Sequence, residues 1–500
     1  MSDVQTESPT KSPTNNGWLK KMLLFGVMIL IVGVVLFLFN LYAPNRPVDY
    51  ADDVQHFKYG SIGTDIENGI PLRVLRVLPR MFPEYLPEGS TVEDYTAFGM
   101  ISEEGHTMPI GFSERRRFID LAGPNCAICH VGSVRAEEKS PPQIILGMPA
   151  NTVDFLGFSK FLFDCAGDWR FTADRIIAEM EQDVPLNPID QQLYKVIVPL
   201  LRGQLLTRQA KLSFMFEPEQ PPFGPGRVDT FNTFKFDQFA EYYQGVEIDE
   251  SELIGIVDFP SIWNQRPREG LQLHWDGNND SVHERNFSAA IGAGATRENV
   301  DIDRMVRVED WLLDFPAPKY PFAINQSQVE QGQEIFRQTC AECHALDGSR
   351  VGTVIPLAEI GTDRHRLDSY TEQLRQAQIT YTAGYPWAFT HFRKTNGYGT
   401  MPLDGIWARA PYLHNGSVPT LEDLLKAADQ RPQQFYTGDD VYLPDAVGFR
   451  HDVPTSNDRQ LFLLDVQVPG NSNQGHSGAT FGTELSPADK AALIEYLKTQ

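Results

Sequence analysis

Twice in this chain two cysteines three positions apart are followed at once by a histidine: Cys126-Ala127-Ile128-Cys129-His130 and Cys340-Ala341-Glu342-Cys343-His344. No other feature limits the fold so strongly, because each site must deliver two thiols and one imidazole to a single group. Thiols spaced this way on one turn reach the two vinyl groups of one porphyrin, and the adjacent imidazole then meets the iron from below the ring. A zinc site would use paired Cys-x-x-Cys but gives no reason for a histidine after each pair. A thioredoxin-like disulfide needs one pair, in a βαβ setting. The pattern therefore predicts two covalently bound c-type haems. Cys126, Cys129, Cys340 and Cys343 are the attachment points, and His130 and His344 are the iron ligands.

The N-terminus carries the pattern of a membrane segment. Residues 1–19 are polar and rich in Ser, Thr, Asn and Pro, the composition of a segment with no packed core. Lys20 and Lys21 precede an uncharged apolar run from Met22 to Phe39. Roughly 20 apolar residues suffice to cross a bilayer. A cleaved signal peptide would be shorter and would end in small residues, whereas the exit here reads Asn40-Leu41-Tyr42-Ala43-Pro44. The expectation is an uncleaved anchor over residues 20–42. The lysines keep the tail 1–19 in the cytoplasm and put the rest in the periplasm of a single-pass inner-membrane protein.

The chain has 500 residues, more than one hydrophobic core normally holds, so two domains or more are expected. Its net charge of −23 argues against nucleic acid as a partner and suits a basic periplasmic or membrane redox protein. Cys165 has no cysteine left to pair with and reads as a buried, inert thiol. Ser327 to Phe336 reads as an amphipathic helix running into Cys340, and Ser486-Pro487-Ala488-Asp489 opens a closing helix. Asp303 to Leu313 reads as a helix stopped by Pro316, Pro318 and Pro321. The predicted architecture is mainly α, with two cytochrome c-like domains at 43–320 and 321–500. The first is enlarged by loop insertions, among them a Pro/Gly-rich loop from Glu217 to Gly226.

Three further motifs carry a family likeness: His274-Trp275-Asp276-Gly277-Asn278-Asn279, Ala410-Pro411-Tyr412-Leu413-His414-Asn415-Gly416-Ser417 and Gly470-Asn471-Ser472-Asn473-Gln474-Gly475-His476. With the haem sites, they make the chain from about residue 90 onward resemble the di-haem cytochrome c peroxidase superfamily, closest to its rubber-oxygenase-like branch. The resemblance implies that the haem on His130 is the reactive one, with a position open to peroxide or dioxygen. It implies that the haem on His344 is low-spin and passes electrons, and that Trp275 lies between the two as a catalytic bridge. A packed core tryptophan is the plainer alternative for Trp275. The peroxidases' methionine, fourteen residues past the Pro-Tyr-x-His histidine, falls here on Ala428, which cannot bind iron. His476, His451 and Met401 are the candidates for that sixth position, and His476 is favoured by its motif. His414 fits a supporting role at the haem edge or the domain contact. Calcium between the domains, frequent in the superfamily, has no assignable ligands here.

Peroxidases also carry a glutamate about twenty residues past the bridging tryptophan. The segment Asn286 to Thr296 holds no acid, leaving Glu284 and Glu298 as substitutes. An apolar pocket suits dioxygen or an apolar substrate better than peroxide cleavage, which needs a positioned proton relay. The leading expectation is an oxidoreductase using a small oxidant and an unidentified substrate or electron donor. A non-catalytic di-haem electron carrier is the alternative. It requires a sixth ligand at the first iron, for which His106, Met108 and His274 are available. A membrane-signalling sensor is disfavoured because the 19-residue tail is too small for an output domain.

Overall fold

The computed structural model describes residues 17–42, 45–90 and 94–500. Most of the polar tail (1–16) lies outside the described residues, as do Ala43 and Pro44, which bear on the choice between anchor and signal peptide. The chain forms two compact units, Met1–Arg46 and Pro47–Gln500. The first contains one helix, Gly17–Tyr42, whose apolar side chains from Met22 to Leu36 are exposed. No helix among the described residues is long and apolar enough to cross a membrane.

In the second unit, the surroundings of the second Cys-x-x-Cys-His motif follow the expected pattern. Helix Gln326–Thr339 runs into Cys340, and Ala341–His344 adds one more turn. The closing helix Pro487–Leu497 begins with proline at its first turn, and Ser486 Oγ accepts from the Asp489 amide at 3.2 Å. The two helices touch at Gly332, where a Cβ would lie 2.0 Å from the Ala492 carbonyl oxygen. Only glycine permits so close an approach. Phe336 and Tyr496 pack beside the contact, ring centroids 5.2 Å apart.

The first motif sits in different scaffolding. Cys126–Ile128 is a single tight turn between the strands Leu121–Pro124 and Val131–Val134. Asn125 holds the turn from both sides. Its Oδ1 accepts from the Ala127 amide at 3.0 Å, and its Nδ2 donates to the Gly60 carbonyl at 2.9 Å. The long segment after this motif corrects the expectation of loop insertions. It folds mainly into three helices, Phe155–Gly167, Ala173–Asp183 and Pro188–Lys211. The reason is legible in hindsight: Phe158, Phe161, Leu162, Cys165 and Ala166 recur on one helical face and are buried together. Cys165 is fully buried, and burial pushes its thiol pKa up. Glu217 to Gly226 is largely irregular, with one turn of tight helix ending just before it at Phe216.

The proline segment after Asp314 is extended, yet packing runs across it. Trp263 lies in one apolar cluster with Trp407, Tyr442 and Leu493. Its indole donates to the Asp404 carbonyl at 3.0 Å, and the Trp407 indole donates to the Pro318 carbonyl at 2.9 Å. Residues on both sides of position 320 thus share one core.

Two loops on opposite sides of that segment are built alike. One is closed by a bridge between Leu273 and Asn279, the other by a bridge between Tyr412 and Val418. The residue after the first bridge partner is left-handed in both, His274 at φ 63° and Leu413 at φ 67°, and so are Gly277 at 62° and Gly416 at 65°. Each loop leads into a helix capped by a hydroxyl, Ser281 in one case and Thr420 in the other. In this correspondence Trp275 matches His414.

Candidate haem centres

Both histidines of the Cys-x-x-Cys-His motifs are aimed in the same way. His130 Nδ1 lies 2.9 Å from the Pro260 carbonyl, and His344 Nδ1 lies 2.8 Å from the Met401 carbonyl. A carbonyl partner fixes the proton on Nδ1 and leaves Nε2 as a lone-pair donor, the tautomer an iron ligand needs. Burial depresses both imidazole pKa values, that of His130 to about 4, so the neutral ligand form persists at neutral pH. The four motif thiols are unpaired with one another and partly buried. Two free thiols beside a correctly oriented imidazole fit a covalent haem at each motif. Pro260 was not singled out from sequence, and Met401 was offered only as a side-chain iron ligand, because a backbone carbonyl leaves no mark on residue type.

The second centre holds a further imidazole. The ring of His476 lies 6.4 Å from that of His344, centroid to centroid. Bonds of about 2 Å from one metal ion to imidazole nitrogens on either side place two ring centroids roughly that far apart. His476 is half-buried, its pKa is pushed down to about 3 by desolvation, and its Nδ1 meets no protein partner. Its backbone is left-handed at φ 46°, which for a side chain with a Cβ is strained. The buried guanidinium of Arg431 holds this loop by donating to the carbonyls of Asn473, Gly475 and His476 at 2.5, 2.8 and 3.0 Å. Asn415 adds bonds to the Gly470 and Ser472 carbonyls, both 3.0 Å, and Ser417 adds another to Ser472. Two of the three sequence motifs are therefore one structure. Met401 contributes its carbonyl to His344, and His451 Nδ1 is 2.9 Å from the Phe449 carbonyl. Ala428 begins a tight turn near Ser477.

The first centre is a mostly apolar cavity lined by Cys126, Cys129, His130 and Trp275, with Ser288, Ala289, Gly292 and Ala293 contributed by helix Val282–Gly292 and its end. The nearest ring to His130 is Phe259, at 6.5 Å. Among the described residues no imidazole faces His130 at the spacing His476 keeps from His344. His106 stacks on Tyr59 at 3.7 Å and Met108 is buried in the N-terminal core, so neither lines this cavity. His274 does line it, with Nδ1 2.5 Å from Asn278 Oδ1, and so does Met305.

The acids lie elsewhere than the sequence suggested. Glu284 is spent on structure, accepting from the Thr390 amide at 2.7 Å and the His391 amide at 2.9 Å. Glu298 pairs with Arg297 at 2.8 Å and is half exposed. Neither lines the cavity, but Asp258 and Glu309 do, together with Arg285 and Arg366. Asp258 is buried, and desolvation pushes its carboxyl pKa well up despite Arg227 nearby. It sits upstream of Trp275, so a search of the segment after the tryptophan passes it by.

Trp275 joins the two centres through hydrogen bonds. Its indole donates to the Asp258 carbonyl at 2.8 Å, two residues before Pro260. Its own carbonyl accepts from the Gly399 amide at 2.9 Å, two residues before Met401. His414 is placed correspondingly. Its carbonyl accepts from the Asp258 amide at 2.8 Å, while its Nε2 lies 3.1 Å from the Tyr398 hydroxyl.

Residues 397–436, which contain the Gly397–Gly399 strand, Met401 and the His414 loop, match the family described as "RoxA-like, cytochrome c-like". An uncharacterized protein of Sinorhizobium fredii (strain NBRC 101917 / NGR234), y4iM, is 29% identical over 294 residues, which cover 49% of this chain and 65% of that protein. A second uncharacterized protein of the same strain, y4iJ, is 24% identical over 521 residues, covering 80% of this chain and 83% of that protein. The match supports the rubber-oxygenase-like branch of di-haem cytochromes. A cytochrome c-like domain implies covalently bound haem c and a c-type cytochrome oxidoreductase.

Proposed function

We propose that this protein is a membrane-anchored, periplasmic oxidoreductase with two c-type haems, in which the haem on His130 activates dioxygen or peroxide and the haem on His344 transfers electrons. The observation that carries this reading is the unlike company of the two proximal histidines. His344 faces His476 across a distance suited to one six-coordinate iron, and His130 faces a mostly apolar cavity. Haem, when bound, supplies the redox and oxidant-binding chemistry. The chain's own part is to hold His130 and His344 neutral and oriented through Pro260 and Met401. Small residues of helix Val282–Gly292 keep room at the first centre and limit water. Asp258, the buried acid on this cavity, is the group best placed to hold or release a proton there, and Trp275 couples the two centres.

The Gly17–Tyr42 helix serves as the anchor in this reading. Its uncharged stretch Met22–Phe39 rises about 27 Å at 1.5 Å per residue, close to the thickness of a hydrocarbon core. Lys20 and Lys21 place its start on the cytoplasmic side. The redox partner is a periplasmic or membrane protein, in keeping with the acidic surface. His274 and Met305 support the second reading, a closed first iron in a pure electron carrier, because both line that cavity.

Electron paramagnetic resonance of the haem-loaded protein, fully oxidised and half-reduced, separates the two. A high-spin ferric signal from one haem in either state is expected. Two low-spin signals persisting in both states would make the protein a carrier.

A further inference from the structure

A pair of hydrogen-bonded titratable side chains connects the first haem cavity with the surface. His283 Nδ1 lies 3.1 Å from Glu309 Oε1, and its side chain is 41% exposed, against 15% for Glu309. Glu309 lines the cavity, and His283 does not. We infer that the two form the route by which protons pass between bulk water and the first centre, His283 exchanging them with solvent and Glu309 with the cavity. The inference rests on the proposed function only in taking that centre as the reactive one.

Each partner is placed by its own helix. On Ile302–Leu313, Met305, Val308 and Leu312 form the buried face that lines the cavity, and Glu309 is the acid set beside them. On Val282–Gly292, the ring of His283 packs on Phe287 one turn later, centroids 4.4 Å apart, while its Nδ1 meets Glu309. The two carboxylate oxygens of Glu309 serve two sides. Oε1 meets the exposed imidazole, and Oε2 accepts from Nδ2 of Asn286, itself a cavity residue, at 3.2 Å. Buried Gln265 accepts from the same Nδ2 at 3.0 Å, and Arg285 donates to Asn286 Oδ1 at 3.2 Å, so the amide is fixed.

Asp258, the other acid on the cavity, complements the pair. It is buried, its charged neighbour Arg227 is equally buried, and burial favours its protonated form. It can give up a proton, yet neither it nor Arg227 reaches solvent to regain one. The bond to Glu309 raises the pKa of His283 above its ordinary value, and the charges of Glu284 and Glu269 act the same way. Arg285 feels the charges of Glu309, Glu269 and Arg268. A group titrating close to neutral pH is the one best suited both to take and to give a proton. Water protonates Nε2 of the neutral ring, and the imidazolium gives its Nδ1 proton to Glu309 Oε1, leaving a neutral imidazole and a neutral carboxylic acid. Exchange of the partly exposed ring with water then restores the Nδ1–H tautomer.

The test is flash reduction of the full-length, haem-loaded protein in weakly buffered solution near neutral pH, with an indicator dye reporting proton uptake. An added electron makes the field on Glu309 more negative and raises its affinity for a proton, so uptake after reduction is expected in the parent. His283→Ala should slow it at least tenfold, and imidazole, at concentrations that leave the haem spectrum unchanged, should restore it. Glu309→Gln should slow it as much and gain nothing from imidazole. No uptake by the parent, uptake at the parent's rate in either variant, or a slowing in His283→Ala that imidazole leaves in place would each overturn the inference. Should Glu309→Gln not fold, the surface variant His283→Ala and its rescue still decide it. Reduction needs no open iron, so a closed first iron would sink the proposed function and leave this route standing.

Discussion

Trp275 and His414 exchange supports across the molecule: the carbonyl of each accepts a hydrogen bond from the strand that orients the other half's haem-ligating histidine. Gly399 N–H donates to Trp275 at 2.9 Å, and Asp258 N–H donates to His414 at 2.8 Å. The two residues occupy matching positions in matching loops, so neither haem-ligating strand is held by its own half alone. This relationship ties the backbone behind each motif histidine to the packing of the other half.

Replacing Trp275 with Phe removes the indole donor and leaves the Asp258 carbonyl short of a partner. A loss of about 1–3 kcal/mol is expected for such an unmet group, together with slower electron equilibration between the haems. Urea unfolding and the relaxation of the half-reduced protein measure the two effects. If both match the parent, Trp275 is merely a core aromatic.

His476→Ala should turn the low-spin signal of the second haem high-spin. His476→Met should keep it low-spin and raise its reduction potential, since thioether ligation favours the ferrous form. Arg431→Met leaves the strained loop unclamped, and a mixture of spin states at the second centre is expected. A second haem that stays low-spin at an unchanged potential in His476→Ala would assign the sixth position to another residue.

Stability should fall as the solution is acidified from neutral. His414 is buried, and desolvation pushes its pKa down to about 3. The unfolded chain takes up that proton below its ordinary pKa of about 6.5, whereas the folded one does not. The associated stability is therefore fully present above about pH 6.5. It declines by up to about 1.4 kcal/mol per pH unit until the folded value is reached. Urea midpoints at about pH 7 and about pH 5 should differ less in His414→Gln than in the parent; equal differences would assign the acid sensitivity to other groups.

Haem stoichiometry should halve in a predictable way. The parent is expected to give two haems per chain by pyridine haemochrome assay, and Cys126→Ser with Cys129→Ser should give one. A parent value of one would leave a single motif loaded and end the di-haem reading.

Deleting residues 1–42 should move the protein from the membrane fraction to the soluble fraction of the periplasm when an export signal is supplied. Recovery of the intact chain in the culture medium would instead favour secretion.

The haem-attaching residues were legible from sequence because the chemistry demands contiguous residue types at one spacing. Helices Gln326–Thr339, Ile302–Leu313 and Pro487–Leu497 were legible because caps and apolar periodicity are local. The helical layer after the first motif was missed, since its proline-interrupted, aromatic-rich stretches were read as loops. Only the tertiary structure could put Pro260 and Met401 behind the two histidines, since any residue has a carbonyl. The meeting of His476 with His344 depends on a loop that Arg431 and Asn415 hold from distant parts of the chain, and no local pattern records that. The acid at the first centre came from Asp258, upstream of the tryptophan, because the strand it lies on is brought there by its bonds to Trp275 and His414. Sequence alone determined which atoms can be bonded to haem. Packing decided what faces each iron, because that depends on contacts between residues far apart in the chain.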